Sequence, residues 1–106
     1  MTFPNNAGPL FAALGDETRL AIVLRLGAGT PLSISRLAAG FAITRQAVTK
    51  HLRVLEQAGL VRTMKSGRES VWELDRDRVI EARQYLDEIS KQWDEKIERL
   101  RELVEE

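Results

Sequence analysis

The sequence predicts a mainly α-helical domain of the α+β class that contains one β-hairpin. Apolar residues recur at helical spacing through the first half of the chain, and the pattern changes to strand-like alternation between Leu60 and Leu74. A long segment after Leu74 contains neither glycine nor proline. The predicted order is four short helices, a hairpin and one long helix, in a single domain of residues 1–106.

The first two predicted helices are bounded by breaking and capping residues. A lead-in from Pro4 to Gly8 precedes a short helix that Gly15 ends. Asp16 is a good N-cap for the second helix, which the glycine- and proline-containing run 27–31 terminates. The apolar positions of the first helix are Leu10, Phe11 and Leu14. Those of the second are Leu20, Val23 and Leu24, with Leu26 as a further candidate.

The third and fourth helices are predicted to follow closely on one another. Ser33 caps the third helix and Thr44 caps the fourth, with a tight connection from Gly40 to Ile43 between them. The inward positions of the third are Ile34, Leu37, Ala38 and Phe41. Those of the fourth, which runs to Gln57 with Gly59 beyond its end, are Val48, Leu52 and Leu55. Two short helices joined by a tight turn are typical of a helix-turn-helix, whose second helix enters the major groove of DNA.

A hairpin follows this pair of helices. We expect strands at 60–65 and 69–74 joined by a Ser66-Gly67 turn, with Trp72 and Leu74 on the inner face. The tip of this hairpin is basic, with Lys65 and Arg68 beside the turn. A hairpin placed after a helix-turn-helix is a wing, so residues 10–74 are predicted to form the DNA-binding core of a winged helix-turn-helix. Taken alone, such a tip is more often an ordinary turn.

Charge is unevenly distributed although the net charge is zero. Between Ala42 and Arg68 there are six basic residues against one acidic residue, whereas the segment after Leu74 is acidic overall. A phosphate backbone responds to local charge within a Debye length of about 8–10 Å. The middle of the chain is therefore the predicted DNA-facing region.

The exposed face of the fourth helix carries side chains suited to DNA. Once its apolar positions are assigned to the core, helical geometry places Arg45, Gln46, Thr49, Lys50 and Arg53 on the opposite side. Arginine pairs with guanine and glutamine with adenine through two hydrogen bonds, while Lys50 and Arg53 suit phosphates. The free N–H groups at the helix start, from Thr44 to Gln46, also suit a phosphate. A merely solvated charged face is the alternative for an isolated helix.

Three blocks of sequence together resemble the ArsR/SmtB family of repressors. They read LGDETRL from Leu14, TRQAVTKHLRVLEQAGLV from Thr44 and GRESVWEL from Gly67. The resemblance implies a homodimeric winged-helix repressor that binds a partly palindromic operator. It places Gln46, Thr49, Lys50 and His51 in the DNA-facing segment, and Arg68 in the wing. His51 is the one histidine of the chain, so it cannot form a metal site alone, and no catalytic partner is apparent. We therefore interpret it as bonding a neighbouring backbone or phosphate group and not as a catalytic base.

The sequence departs from this family at its metal-sensing positions. Many members carry a Cys-x-Cys pair at the start of the helix before the recognition helix, where this chain has Ser33-Ile34-Ser35. Hydroxyls are poor ligands for the soft metals that thiolates bind. The last helix has no histidine for the family's second type of site. Its carboxylates Asp87, Glu88, Asp94 and Glu98 fit a solvated face. We therefore expect a member that does not sense metal and holds no cofactor.

The long last segment, residues 75–104, is predicted to be a dimerisation helix. Its apolar positions are spaced three or four residues apart, as in a helix that packs along another helix. They are Val79, Ala82, Leu86, Ile89, Trp93, Ile97, Leu100 and Val104. The predicted interface comprises Leu10, Phe11 and Leu14 of the first helix with Leu86, Ile89, Trp93, Ile97 and Leu100 of the last. The competing interpretation is that this helix folds back on its own core.

These observations predict a DNA-binding transcriptional regulator, and by resemblance a repressor. Its expected partners are double-stranded DNA and a second copy, and a small-molecule or protein effector is left open. The alternative is a winged-helix adaptor that binds a protein. The chain has no cysteine and no glycine-rich phosphate loop, so no enzyme is predicted. No membrane span or signal peptide is found, so a cytoplasmic location is expected.

Overall fold

The computed structural model describes residues 7–105 of the chain. Within this range, five helices and three strands follow one another in the order α1, α2, β1, α3, α4, β2, β3, α5. The helices are α1 Ala7–Leu14, α2 Glu17–Leu26, α3 Ile34–Ala39, α4 Arg45–Gln57 and α5 Arg76–Glu105. The strands are β1 Leu32–Ser33, β2 Val61–Ser66 and β3 Glu69–Leu74. The mainly helical fold with a hairpin and a long last helix is confirmed.

The three predicted N-caps are confirmed in their side-chain geometry. Asp16 accepts a hydrogen bond from the backbone N–H of Arg19 at 2.9 Å, and Ser33 from that of Arg36 at 3.3 Å. Thr44 accepts from the N–H of Ala47 at 3.1 Å. Each cap residue has an extended backbone, as capping requires, so each helix start is fixed by local chemistry.

The chain enters α1 earlier than the sequence indicated. The predicted lead-in ran from Pro4 to Gly8, but the helix already includes Ala7 and Gly8. Pro9 is the third helical residue, where the N–H that proline lacks has no partner within the helix. Pro4 to Asn6 lie outside the described residues.

The buried face of α2 differs from the predicted stripe at Leu20 and Leu24, whereas Val23 is half-buried and packs against the core as predicted. Ile22 and Leu26 are the buried residues of this helix, whereas Leu24 is 71% exposed and Leu20 is also exposed. Residues 20–24 are all apolar, so periodicity alone does not define the inner face. Packing against the rest of the core decides it. Leu26, the further candidate, is correctly assigned.

The core lies between α1–α4 and the inner face of the sheet. Its largest side chains with almost no exposed surface are Trp72, Leu10, Ile22, Leu37, Leu52, Leu55, Leu60 and Val48. Trp72 and the half-buried Leu74 face this core from β3, as predicted. The core thus contains all three predicted inward residues of α4.

The sheet has three strands, in the order β1-β3-β2, and both pairs are antiparallel. The sequence did not predict β1, a two-residue strand in which Leu32 pairs with Trp72. The hairpin turn is also shifted by one residue. Ser66 pairs with Glu69, so the turn residues are Gly67 and Arg68 rather than Ser66 and Gly67. Gly67 has a φ of +65°, which fits the first turn residue of a type II′ hairpin.

The end of α4 is joined to the start of α5 by backbone and side-chain bonds. Gly59, with a φ of +79°, lets the N–H of Leu60 bond the carbonyl of Leu55 at 3.0 Å. This is the Schellman arrangement that closes helix ends. The buried Arg78 of α5 donates from Nε to the carbonyl of Ala58 at 2.8 Å and from Nη1 to Glu81 at 2.6 Å. The end of α4 and the start of α5 are therefore directly linked.

Candidate nucleic-acid interface

The rotation of α4 about its axis is set by three fully buried side chains. Val48, Leu52 and Leu55 each have 0% exposed surface, so the opposite side of the helix must face solvent. On that side Arg45, Gln46 and Lys50 are exposed, and their side chains have no hydrogen-bond or ion-pair partner among residues 7–105. Three of the predicted DNA-facing side chains are thus available to an external ligand.

The first turn of α4 offers backbone donors beside these side chains. The side chain of Thr44 accepts a hydrogen bond from the N–H of Ala47. Within the described part of the chain, the N–H groups of Arg45 and Gln46 have no acceptor. The hydroxyl of the half-buried Thr49 donates a hydrogen bond to the carbonyl of Arg45 at 2.9 Å, within the same helix. Free N–H groups and the helix dipole favour an anion at this end of α4.

Arg53 has two intramolecular partners that the sequence did not indicate. Its Nη1 lies 3.0 Å from Glu56 Oε1, and its guanidinium lies 5.5 Å from the centroid of the Trp72 ring. A cation over an indole face is attracted by the ring quadrupole. Arg53 therefore joins the recognition helix to the strand β3 of the wing, in addition to any contact it makes with phosphate.

His51 lies on a flank of α4 away from the predicted reading face. At about 100° per residue it is turned roughly 140° from Gln46. Its Nδ1 lies 3.9 Å from Asp16 Oδ2, at the junction of α1 and α2, and the side chain is half-buried. The N–H of Arg19, with smaller contributions from the charges of Arg19 and His51, holds the pKa of Asp16 below its ordinary value. His51 thus has a neighbour within the chain, and that neighbour, the carboxylate of Asp16, repels phosphate.

The wing presents its two cations differently. Lys65 shares a face of the sheet with Thr63 and β3's Trp72, which is the face that meets α4. Arg68 is the second turn residue, at the tip. Both are exposed, and neither is paired among residues 7–105. Among residues 7–105, the unpaired basic side chains of the predicted reading surface are therefore Arg45 and Lys50 on α4 and Lys65 and Arg68 on the wing.

Comparison with known proteins places this fold and these motifs in one family. A family model described as a helix-turn-helix domain matches residues 14–63. The HTH-type transcriptional regulator Rv2034 of Mycobacterium tuberculosis is 46% identical over 63 residues, and the match spans 59% of this chain and 58% of that protein. An ArsR-like transcriptional regulator from Rhodococcus sp. RHA1 superimposes with a TM-score of 0.79 at 34% identity, over 92% of each chain. This chain belongs to the ArsR family. It is a transcriptional regulator with a helix-turn-helix DNA-binding domain.

A more distant structure shares the fold of this ArsR-family regulator. It is described as the homodimeric winged helix-turn-helix DNA-binding domain of Mb0332 from Mycobacterium bovis, a possible ArsR-family regulator. The TM-score is 0.65 at 19% identity, over 90% of this chain and 84% of that one. At this identity the likeness concerns the winged helix-turn-helix architecture.

The long helix of the ArsR-family chain carries an apolar stripe that its own body does not cover. Arg78 and Ala82 are its buried residues, and the ring of Tyr85 meets that of Phe11 edge-on at 5.9 Å. From Leu86 onward the predicted interface residues of α5 are exposed, including Trp93 at 62%. The interpretation in which this helix folds back on its own core is therefore wrong for the part beyond Tyr85.

The first helix contributes less to this surface than expected. Leu10 was predicted to contact a second copy, but it has 0% exposed surface. Its side chain is fully buried in the core of its own chain, so it has no accessible surface that could contact a partner. Phe11 and Leu14 are half-buried against the same core and keep some exposed surface. Tyr85, which sequence periodicity did not single out, is what joins α1 to α5.

The family's metal-sensing position is occupied here by a structural serine. Ser33 is 8% exposed and its hydroxyl caps α3. Among residues 7–105 no group of three or more histidine, cysteine or carboxylate side chains is placed to hold a metal ion.

In the same range, no helix combines the length and apolarity needed to cross a bilayer.

Proposed function

We propose that this ArsR-family chain is a homodimeric repressor that reads a partly palindromic operator with α4 in the major groove. The observation that carries this proposal is the first two turns of α4, where Arg45, Gln46 and Lys50 are exposed and, among residues 7–105, unpaired; the free backbone N–H groups of the helix start lie beside them. Arginine and glutamine suit base edges, and Lys50 suits a phosphate. Thr44 and Thr49 border the same surface.

The wing is proposed to contact the phosphate backbone of the DNA. Lys65 and Arg68 lie on the hairpin that packs beside α4, so they can reach phosphates flanking the groove that α4 enters. Arg53 acts mainly as a link between α4 and Trp72, with at most a secondary phosphate contact. His51 is assigned to the junction with Asp16 rather than to the DNA.

The homodimer is proposed from the uncovered stripe on α5. Leu86, Ile89, Trp93, Ile97 and Leu100 are all about half exposed or more. A contiguous apolar surface of this kind is typical of a protein–protein interface. Their spacing fits a helix paired along its length with another helix. Phe11 meets Tyr85 next to this surface, and we propose that Phe11 and Leu14 extend it. A protein of the same fold, the Mb0332 domain, is described as homodimeric. Two-fold symmetry would set two α4 helices about 34–36 Å apart, one turn of DNA.

We also propose that this regulator does not respond to metal. Ser33 supplies a cap rather than a ligand, so the signal is a small molecule, a protein partner or the concentration of the regulator itself. Adding a chelator should leave its affinity for DNA unchanged. A loss of DNA binding on chelation that zinc restores would contradict this part of the proposal.

DNA binding is tested by fluorescence anisotropy with fragments upstream of the chain's own gene. Arg45→Ala/Lys50→Ala should weaken binding strongly and flatten the dependence on salt, because fewer counterions are released. Arg45 or Gln46 alone replaced by alanine should relax sequence preference, by about 1–3 kcal/mol at the contacted base pair.

The matched control is Arg99→Ala/Arg101→Ala, which removes the same charge from the exposed far part of α5. It should bind DNA as the unmodified chain does. Equal binding by the Arg45/Lys50 variant and the unmodified chain would refute the assignment of α4. A chain that binds no upstream DNA but captures a protein would support the adaptor alternative.

The dimer is tested separately by analytical ultracentrifugation. Trp93→Asp/Ile97→Asp places two charges on the stripe and should yield a monomer, whereas Arg99→Asp should leave the dimer intact. A stable monomer of the unmodified chain at micromolar concentration would overturn the homodimer. DNA binding and dimerisation are thus measured with different variants.

A further inference from the structure

An open groove lies on the side of the molecule away from α4. It has a volume of about 580 Å³ and is formed by the end of α2, the base of the wing and the first turns of α5. This volume falls in the range of about 300–1,000 Å³ in which small-molecule sites lie. We call it the arginine groove, after Arg62, Arg76 and Arg83, which all line it.

The floor of the arginine groove is apolar. Leu26 and Leu74 come from the core side, and Val79 and Ile80 come from α5. Ile80 is 50% exposed, although it lies in the well-packed first part of the helix. Binding of an apolar ligand to an exposed apolar floor is favourable, because it removes apolar surface from water.

The three arginines leave most of their donors free. Arg62 donates from Nε to Glu73 Oε1 at 2.7 Å, and within residues 7–105 its two terminal nitrogens have no partner. Arg76 has no hydrogen bond or ion pair in the same range. Arg83 is 3.9 Å from Asp87, with both side chains largely exposed. Glu73 is the one acidic residue of the lining, and Arg62 already neutralises it.

The groove lies apart from the surface proposed to read DNA and adjoins the α5 stripe only at Val79. Arg62 and Glu73 lie on the face of the sheet opposite Trp72 and Lys65, so a ligand here is not a phosphate of the DNA that α4 reads. On α5, the groove positions 76, 80 and 83 point about 120° on average away from the stripe positions 82, 86, 89 and 93. Val79 is itself one of the predicted stripe positions, so it borders both surfaces. We therefore expect Arg76, Ile80 and Arg83 to stay accessible in the proposed dimer.

We propose that the arginine groove binds a small organic acid with an apolar body and one carboxylate. The body lies on Leu74, Val79 and Ile80, and the carboxylate accepts hydrogen bonds from Arg76, Arg83 and the terminal nitrogens of Arg62. Planar guanidinium groups bind carboxylates through paired hydrogen bonds. An inorganic anion would leave the floor wet, and a neutral apolar molecule would leave the arginines unused.

Such a ligand would join elements that serve different purposes. Arg62 belongs to the wing, whereas Arg76 and Arg83 belong to the helix that carries the dimer stripe. Binding would therefore fix the base of the wing relative to α5. A ligand that binds one arrangement of these elements better than another shifts the population of that arrangement.

The test is a titration of the isotope-labelled full chain with sodium octanoate, followed by amide NMR in the absence of DNA. Saturable shifts are expected at groove residues, such as Gly29, Glu73 and Ile80. Acetate carries the carboxylate without the body, and 1-octanol carries the body without the charge, so each should bind at least about tenfold more weakly. Shifts that centre on the α5 stripe, or equal binding by acetate or 1-octanol, would overturn the proposal.

Variants locate the site. Arg76→Gln/Arg83→Gln should weaken octanoate binding about tenfold or more, whereas Arg99→Gln should leave it unchanged. Ile80→Glu puts a negative charge on the floor and should also abolish binding. All four positions are exposed, so we expect these variants to fold, and circular dichroism checks this. Unchanged affinity of the double variant refutes the site, and the outcome does not depend on the proposed repressor role.

Discussion

Replacing Arg78 by methionine should cost a large part of the stability of this regulator. Arg78 is 7% exposed and donates to the carbonyl of the buried Ala58 and to Glu81. Methionine keeps the apolar part of the side chain and removes these donors. Hydrogen bonds to a charged group contribute about 1.5–3 kcal/mol each, and a buried carbonyl left without a donor costs about 1–3 kcal/mol.

The bond to Glu81 counts for less, because that carboxylate is 38% exposed and water can replace its partner. The expected loss is therefore about 2–4 kcal/mol, against a total stability of about 5–15 kcal/mol. At about 4–8 °C per kcal/mol for a domain of this size, Tm should fall on the order of 10–30 °C.

The assay is thermal and urea unfolding followed by far-UV circular dichroism. All variants are compared at one protein concentration, since the stability of a dimer depends on it. The matched control is Arg99→Met, which makes the same change on the exposed part of α5 and should alter stability by less than about 0.5 kcal/mol. If Arg78→Met unfolds within about 0.5 kcal/mol of the unmodified chain, the link between α4 and α5 does not stabilise the fold.

Three further outcomes are expected from single side chains. Gly59→Ala should lose about 1 kcal/mol in urea unfolding because φ is +79° there, whereas Gly8→Ala, with open space around it inside α1, should be neutral or stabilising. Asp16 has a folded pKa below its ordinary value of 3.8, so its contribution is present above that value and is lost as pH falls through the folded pKa. Asp16→Asn keeps a cap acceptor and should flatten that acid limb of a Tm-against-pH curve; an unchanged limb would contradict the assignment. Arg53→Ala should alter the fluorescence of Trp72 and weaken DNA binding modestly, and an unchanged emission spectrum would argue against the contact.

Helix starts and the inner face of α4 followed from sequence because their causes are local. Thr44 bonds the N–H of a residue three positions away, and this needs no knowledge of the rest of the chain. Val48, Leu52 and Leu55 have polar residues on the other side of the helix, so only one face is apolar. In α2, where apolar residues surround most of the helix, the same reasoning placed Leu20 and Leu24 inward and missed Ile22, although Val23 and Leu26 do pack against the core.

Features set by distant parts of the chain were missed or misplaced. The two-residue strand β1 exists only because Leu32 and Ser33 pair with β3, far along the sequence. The partner of Arg53 is Trp72 and that of His51 is Asp16, so neither side chain is as free as a helical wheel indicates. Leu10 fits an interface pattern and a core pattern equally well, and its burial decides for the core.

The uncovered stripe on α5 has a consequence for how the cell uses such a regulator. In the proposed dimer, the stripe of one chain packs against the stripe of the other. The concentration of the DNA-binding dimer therefore depends on the concentration of monomer by mass action. Where monomer predominates, a twofold rise in its concentration raises the dimer about fourfold. The target gene would then respond to the dose of the regulator as a threshold rather than in proportion, even before any ligand is bound.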